Sequence, residues 1–200
     1  MDTRSKRILA QLNLANQLTF LRLVLIPFFM LAILHGRFGL ALGLFAAASI
    51  TDMLDGLSAR WFGGTKLGAY LDPAADKLLL FAAFVMLTDY PSMLGEIDFA
   101  ARIPLWLTVL TISRDVLIVA ISLLLYLTRS QTSFPPTIWG KVTTAGEFTT
   151  VSLFLLFNRL GYASPLLDLC VWGTLVLILL SGFHYLARTI RWLSDGETTP

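Results

Sequence analysis

Apolar residues along this chain run in long blocks, and polar or Gly/Pro-marked breaks divide them into six. A helix that crosses the hydrocarbon core of a bilayer needs about 20 mostly apolar residues. The blocks at 19–34, 39–59, 72–88, 104–128, 141–158 and 166–190 therefore predict six spans. Residues 3–12 alternate basic and apolar positions at helical spacing, which predicts a short helix lying on the membrane surface before the first span. Arg4, Lys6 and Arg7 precede the first block as in a signal peptide, but no small-residue cleavage site follows and Pro27 interrupts the run, so the block reads as a retained span. The expected fold class is an all-α integral membrane bundle of six helices. The expected division is an N-terminal cytoplasmic or interfacial segment 1–18, a membrane domain 19–190 and a cytoplasmic tail 191–200.

Composition agrees with lipid as the solvent. Of 200 residues, 56% are hydrophobic and 14% charged, and the mean hydropathy is +0.74, whereas a soluble domain is about a quarter charged. A net charge of +2 is too small for an electrostatic footprint on nucleic acid. Cys170 is the single cysteine, so no internal disulfide exists, and it reads as a small buried apolar residue. With the N-terminus cytoplasmic, nine basic residues (Arg4, Lys6, Arg7, Arg60, Lys66, Arg129, Lys141, Arg188, Arg191) fall inside and three (Arg37, Arg102, Arg159) outside. This bias places both termini in the cytoplasm.

Charges within the predicted spans need a reason, because lipid tolerates them only when they are paired, wet or metal-bound. Asp52 and Asp55, three apart near the cytoplasmic end of the second span, share one helix face. Asp72 and Asp76, four apart, open the third, and the loop at 61–71 is short enough to set the two pairs side by side. The acids could pair with Arg60, Lys66, Lys77 and Arg114 in a structural ion network. Four carboxylates at one depth can also stay ionised together if cations neutralise them, and hard oxygen ligands without His or Cys point to Mg²⁺, Mn²⁺ or Ca²⁺ rather than zinc. Gly56, Ala59 and Gly68 leave room for a bulky ligand near these carboxylates, so the segment reads as a metal and phosphate site. Arg22, Arg114 and Lys141 face no acidic partner in sequence except Asp115, and suit a phosphorylated acceptor. Glu147 in the fifth span is expected either to join the acceptor pocket or, the favoured reading, to hydrogen-bond a neighbouring helix. His184 reads as a packing or interfacial residue and Asp168 as a headgroup contact.

Read in full, the segment resembles the signature of the CDP-alcohol phosphotransferases, D-x-x-D-G-x-x-A-R, a short spacer, then G-x-x-x-D-x-x-x-D. All eight fixed positions are met over 25 residues by Asp52, Asp55, Gly56, Ala59, Arg60, Gly68, Asp72 and Asp76. Asn16 to Arg22 is similar to the family's opening N-x-L-T-x-x-R, with Ala15 where Pro is usual, and Gly140 to Ala145 is similar to its G-K-x-x-T-A segment. The resemblance implies a membrane enzyme of phospholipid biosynthesis that cleaves a CDP-linked donor with two divalent cations, Mg²⁺ or Mn²⁺, passes the phosphatidyl group to a hydroxyl and releases CMP. By position it makes Asp52, Asp55, Asp72 and Asp76 the metal ligands and Asp76 also the general base. It makes Asp52, Asp55, Gly56, Ala59, Arg60 and Gly68 the CDP site, and Thr19, Arg22, Arg114 and Lys141 the acceptor side.

The run from Leu71 to Lys77 resembles the bacterial branch that uses CDP-diacylglycerol and glycerol 3-phosphate, which implies a bacterial cytoplasmic membrane. That branch carries Ser-Arg-Glu and a further Arg two turns on, where this chain has Ser113-Arg114-Asp115 and Ser122. The departure, with His184-Tyr185, is similar to the eukaryotic-type branch that forms cardiolipin with phosphatidylglycerol as acceptor. Inositol phosphate or another alcohol is a further alternative. The resemblance also implies a homodimer. A transporter or channel would show repeated halves or broken helices, and none is visible. A membrane scaffold would have no use for four intramembrane carboxylates.

Overall fold

In the computed structural model the described backbone covers residues 14–62, 66–88, 97–129 and 138–195, and side chains are described at 19–51, 75–88, 97–122 and 138–191. The predicted surface helix at 3–12 and the end of the tail lie outside these residues. Six helices follow one another with no strand among the described residues: α1 (Leu14–Leu34), α2 (Phe38–Phe62), α3 (Lys66–Leu87), α4 (Leu105–Arg129), α5 (Ile138–Leu160) and α6 (Pro165–Asp195).

Each predicted apolar block falls in one helix apart from Thr88 and Pro104, which lie just outside α3 and α4, and at most other ends the helices outrun the blocks. The largest difference is in α3, which begins at Lys66, six residues before the predicted start at Asp72. The loop expected at 61–71 is therefore mostly helix: α2 runs to Phe62 and only residues 63–65 separate it from α3. The physical reason is that an apolar block marks where lipid begins, whereas a backbone helix continues as long as its N–H and C=O groups pair.

The helices alternate in direction, and two glycines make the tight reversals at one end. Gly36 (φ 65°) and Gly161 (φ 76°) adopt left-handed backbone that residues with a Cβ disfavour. Gly36 N–H donates to the Ile33 carbonyl and Arg37 N–H to Ala32, both at 2.8 Å; Gly161 and Tyr162 repeat the pattern onto Asn158 and Phe157. These are the paired bonds of a Schellman cap, and its customary apolar contact is present as Phe157 against Tyr162, ring centroids 5.3 Å apart.

α1 packs against α2 and α3, α2 also against α5, α5 against α6, and α4 mainly against α6. At the glycine-turn end the core is aromatic: Phe45 meets Phe29 and Phe148 at 5.8 and 5.3 Å, and Phe38 meets Phe99 at 5.1 Å. Polar groups there are closed off. Thr88 donates to the Phe84 carbonyl and pairs with Thr108. The Asn158 amide donates to the carbonyls of Ala101 and Phe154 and its oxygen accepts from Ala101 N–H.

Among the described residues two stretches, Leu105–Ser122 and Pro165–Arg191, are long and apolar enough to cross a membrane, and only 22% and 28% of them is buried. Val109, Val116, Val119, Leu169, Val176 and Phe183 all stand more than half exposed on these helices. Apolar surface of that extent is not left to water, and it marks a membrane protein. The apolar stretches of α1 and α2, Thr19–Leu34 and Phe38–Thr51, are shorter.

Candidate active site

The signature residues lie where two helices nearly meet. Asp52, Asp55, Gly56, Ala59 and Arg60 occupy the last three turns of α2, and Gly68, Asp72 and Asp76 the first three of α3. The side chains of all of these except Asp76 lie outside the described residues. Both Asp pairs stand on helical backbone.

Asp76 is a quarter exposed, and its Oδ1 accepts from Nη1 of the fully buried Arg22 on α1 at 2.5 Å. Thr19, three residues before Arg22 on the same face, is fully buried too. Next to Asp76, Lys77 Nζ donates to Asp115 Oδ2 on α4 at 2.5 Å, and Arg114 Nη1 donates to Asp115 Oδ1 at 2.6 Å. Arg114 Nη2 then donates to Ser181 Oγ on α6. Ser181 lies one turn along α6 from Leu177, whose carbonyl accepts from Thr143 Oγ1 on α5, itself one turn from Glu147. Charged groups from α1, α3, α4 and α5 thus gather in the interior, with Lys77 the most open of the ion-paired groups at 40% side-chain exposure.

This arrangement revises several sequence expectations. Arg22, which has no acidic partner nearby in sequence, pairs with Asp76, 54 positions away. Of the ion network expected for the aspartates, the described side chains give Asp76 paired with Arg22, and Lys77 and Arg114 paired with Asp115; Asp52, Asp55, Arg60, Lys66 and Asp72 lie outside them. Glu147 is fully buried, yet neither of its oxygens accepts a hydrogen bond, so the helix-to-helix bond favoured for it is not made. Lys141 is exposed in the first turn of α5. Cys170 is half-buried rather than buried, because α6 turns much of its surface outward. His184 is exposed, as an interfacial residue would be, and Asp168 is exposed in the first turn of α6. Ser122, at the place of the second Arg of the bacterial branch, pairs with the Tyr185 hydroxyl at 2.6 Å and ties α4 to α6.

Sequence reasoning gave no site role to Lys77, Asp115 or Ser181. Asp115 carried a signal, adjacency to Arg114. Ser181 carried none, since an intramembrane serine most often hydrogen-bonds its own helix.

The donor set suits hard divalent cations. The residues at the signature positions offer carboxylate oxygens with neither His nor Cys among them, the ligand chemistry of Mg²⁺ and Mn²⁺. Asp76, the one whose side chain is described, keeps part of its surface open.

Comparison with known proteins bears on the whole chain. A model of the CDP-alcohol phosphatidyltransferase family matches residues 12–187, and the chain belongs to that family. It is 35% identical over 187 residues to a probable phosphatidylglycerophosphate synthase of Mycobacterium tuberculosis, covering 90% of this chain and 82% of that protein. It is 32% identical to the CDP-diacylglycerol–glycerol-3-phosphate 3-phosphatidyltransferase of Bacillus subtilis, covering 92% and 99%. It is also 32% identical to the human CMP-forming cardiolipin synthase, covering 92% and 64%.

Proposed function

We propose that the protein transfers phosphatidyl from CDP-diacylglycerol to glycerol 3-phosphate, giving phosphatidylglycerophosphate and CMP. The observation that carries this reading is the gathering of Arg22, Lys77 and Arg114 around Asp76 and Asp115, which sets phosphate-binding cations beside a carboxylate able to take a proton. The match to nearly the full length of the Bacillus subtilis enzyme supports the same acceptor.

Asp52, Asp55, Asp72 and Asp76 would hold two divalent cations. When bound, such a pair stabilises the attacking and leaving oxygens of an in-line displacement. Gly56, Ala59, Arg60 and Gly68, with Asp52 and Asp55, frame the CDP group. Lys77, Arg114 and Lys141 draw the acceptor phosphate, with Thr19 and Arg22 beneath. Arg22 fixes the carboxylate of Asp76, which takes the proton of the acceptor's primary hydroxyl. That oxygen bonds to the phosphatidyl phosphorus, the pyrophosphate P–O bond breaks, and CMP leaves with the electron pair. The protein works as a six-span bundle in a bacterial cytoplasmic membrane, as a homodimer, with both termini and the site on the cytoplasmic side. A lipid donor then enters from the inner leaflet and a soluble acceptor from water.

A second reading, phosphatidylglycerol as acceptor, is favoured by one detail. Asp115 already engages both Lys77 and Arg114, and Ser122 replaces the second Arg, which suits a phosphodiester better than a phosphate dianion.

The test is CMP release by purified protein in vesicles with CDP-diacylglycerol, with Mg²⁺, Mn²⁺ or EDTA, and with glycerol 3-phosphate, phosphatidylglycerol, inositol phosphate or serine. Release stimulated by glycerol 3-phosphate and stopped by EDTA is expected. Stimulation by phosphatidylglycerol alone would transfer the assignment to cardiolipin synthesis, and silence with all four would end the enzymatic reading.

A further inference from the structure

The buried face of α5 carries three polar residues at helical spacing, Thr143, Glu147 and Thr150, followed by apolar Val151, Phe154 and Leu155. Both threonines are satisfied across the α5/α6 contact. Thr143 Oγ1 donates to the Trp139 and Leu177 carbonyls, and Thr150 pairs with Thr174 at 2.8 Å. Glu147, between them, is fully buried, and its two oxygens meet no donor. Buried polar atoms are nearly always hydrogen-bonded, and leaving a carboxyl unsatisfied costs stability without return in the empty protein. A second buried atom of the same cluster, Arg114 Nε, also lacks a partner.

The surroundings limit what could satisfy Glu147. In its charged form Glu147 only accepts hydrogen bonds, so a ligand that satisfies both oxygens brings a donor. Arg114 bonds Ser181, one turn along α6 from the Leu177 carbonyl that Thr143 engages, and Arg114 and Lys77 share the single carboxylate of Asp115; two cations against one anion disfavour an ammonium, which leaves a neutral hydroxyl. The same two cations attract a phosphate. A group that offers hydroxyls on one side and a phosphate on the other is a polyol phosphate, and one of its hydroxyls is already committed to attack. Resting on the acceptor assignment above, we infer that Glu147 is an acceptor-recognition residue that receives the secondary hydroxyl of a glycerol group, the hydroxyl that does not react. Free glycerol 3-phosphate and the glycerol headgroup of a phosphatidyl lipid both present this hydroxyl next to a phosphate.

The test compares each acceptor with its counterpart lacking the secondary hydroxyl: glycerol 3-phosphate with 3-hydroxypropyl phosphate, and phosphatidylglycerol with phosphatidyl-1,3-propanediol. The wild-type protein is expected to favour the glycerol acceptor about 10- to 100-fold in kcat/KM, the size of one hydrogen bond to a carboxylate, with the difference mainly in KM. Glu147→Leu should bring the ratio to within about threefold by raising KM for the glycerol acceptor. Its turnover of the deoxy acceptor should persist, which a folding defect would not allow. Glu147→Gln, which keeps one accepting oxygen, should fall between. Which acceptor pair shows the effect separates the soluble source from the lipid one. A wild-type protein indifferent to the secondary hydroxyl overturns the inference with no variant needed, as does a wild-type ratio in Glu147→Leu or Glu147→Gln. In either case CMP release driven by glycerol acceptors leaves the acceptor assignment intact. Release that no glycerol acceptor stimulates removes both.

Discussion

The two ends of the bundle solve the problem of buried polarity in opposite ways. At the glycine-turn end, the Thr88 and Thr108 hydroxyls pair with each other, and Asn158 makes three bonds with backbone groups. These polar groups are buried, and their hydrogen bonds are made within the protein. At the other end the groups are charged, drawn from four helices, and incompletely paired, with Glu147 and Arg114 Nε unsatisfied and Asp76 and Lys77 partly open. A closed polar network rigidifies, whereas an open one costs stability and is kept where a ligand completes it. One end is closed, and the other has groups left to complete.

Substitutions can break this division. The largest effect is expected at Asp76→Asn, which should lower CMP release by 10²-fold or more, in the range of a lost general base, while CDP-diacylglycerol still binds in an equilibrium assay. Next is Arg22→Met, which removes the buried partner of Asp76. Breaking a buried pair costs about 3–5 kcal/mol, and because Asp76 is a quarter exposed roughly 2 kcal/mol is expected, read as a lower melting temperature in detergent together with a fall in kcat. Asn158→Ala should also cost about 2 kcal/mol through its three lost bonds, yet with kcat unchanged at temperatures where the protein stays folded. A kcat defect there would erase the distinction between the ends. Thr88→Val keeps the shape and removes one member of a hydroxyl pair, so about 1 kcal/mol and no kinetic change are expected.

The helices were legible because an apolar block in a membrane chain has one structural outcome. Their ends were not, as α3 shows: Lys66, Gly68 and Ala69 interrupt the apolar run before Leu71, yet the whole stretch from Lys66 winds into helix. At the site, the aspartate spacing identified the segment, and Arg22 and Arg114 stood out as charges within apolar runs. Asp115 beside Arg114 was visible, but the more distant partners were not, because Arg22 and Asp76 are 54 positions apart and Arg114 and Ser181 are 67 apart. Which of several buried charges face each other depends on how the helices dock, and no local pattern encodes that. The isolation of Glu147 was hidden for the same reason: to know that a group lacks a partner, every neighbour must first be placed.

The glycine-capped reversals at Gly36 and Gly161 bear on the order of assembly. Each joins helices that are adjacent in sequence and heavily packed on one another, α1 with α2 and α5 with α6. Contacts so local form early, since little loop entropy is lost in making them. The bonds between Arg22 and Asp76, Lys77 and Asp115, and Arg114 and Ser181 cross between elements that these hairpins do not contain together, so they are made when α3 and α4 dock. Catalytic competence is then the last property this chain acquires as it folds, and the first it should lose when the bundle loosens.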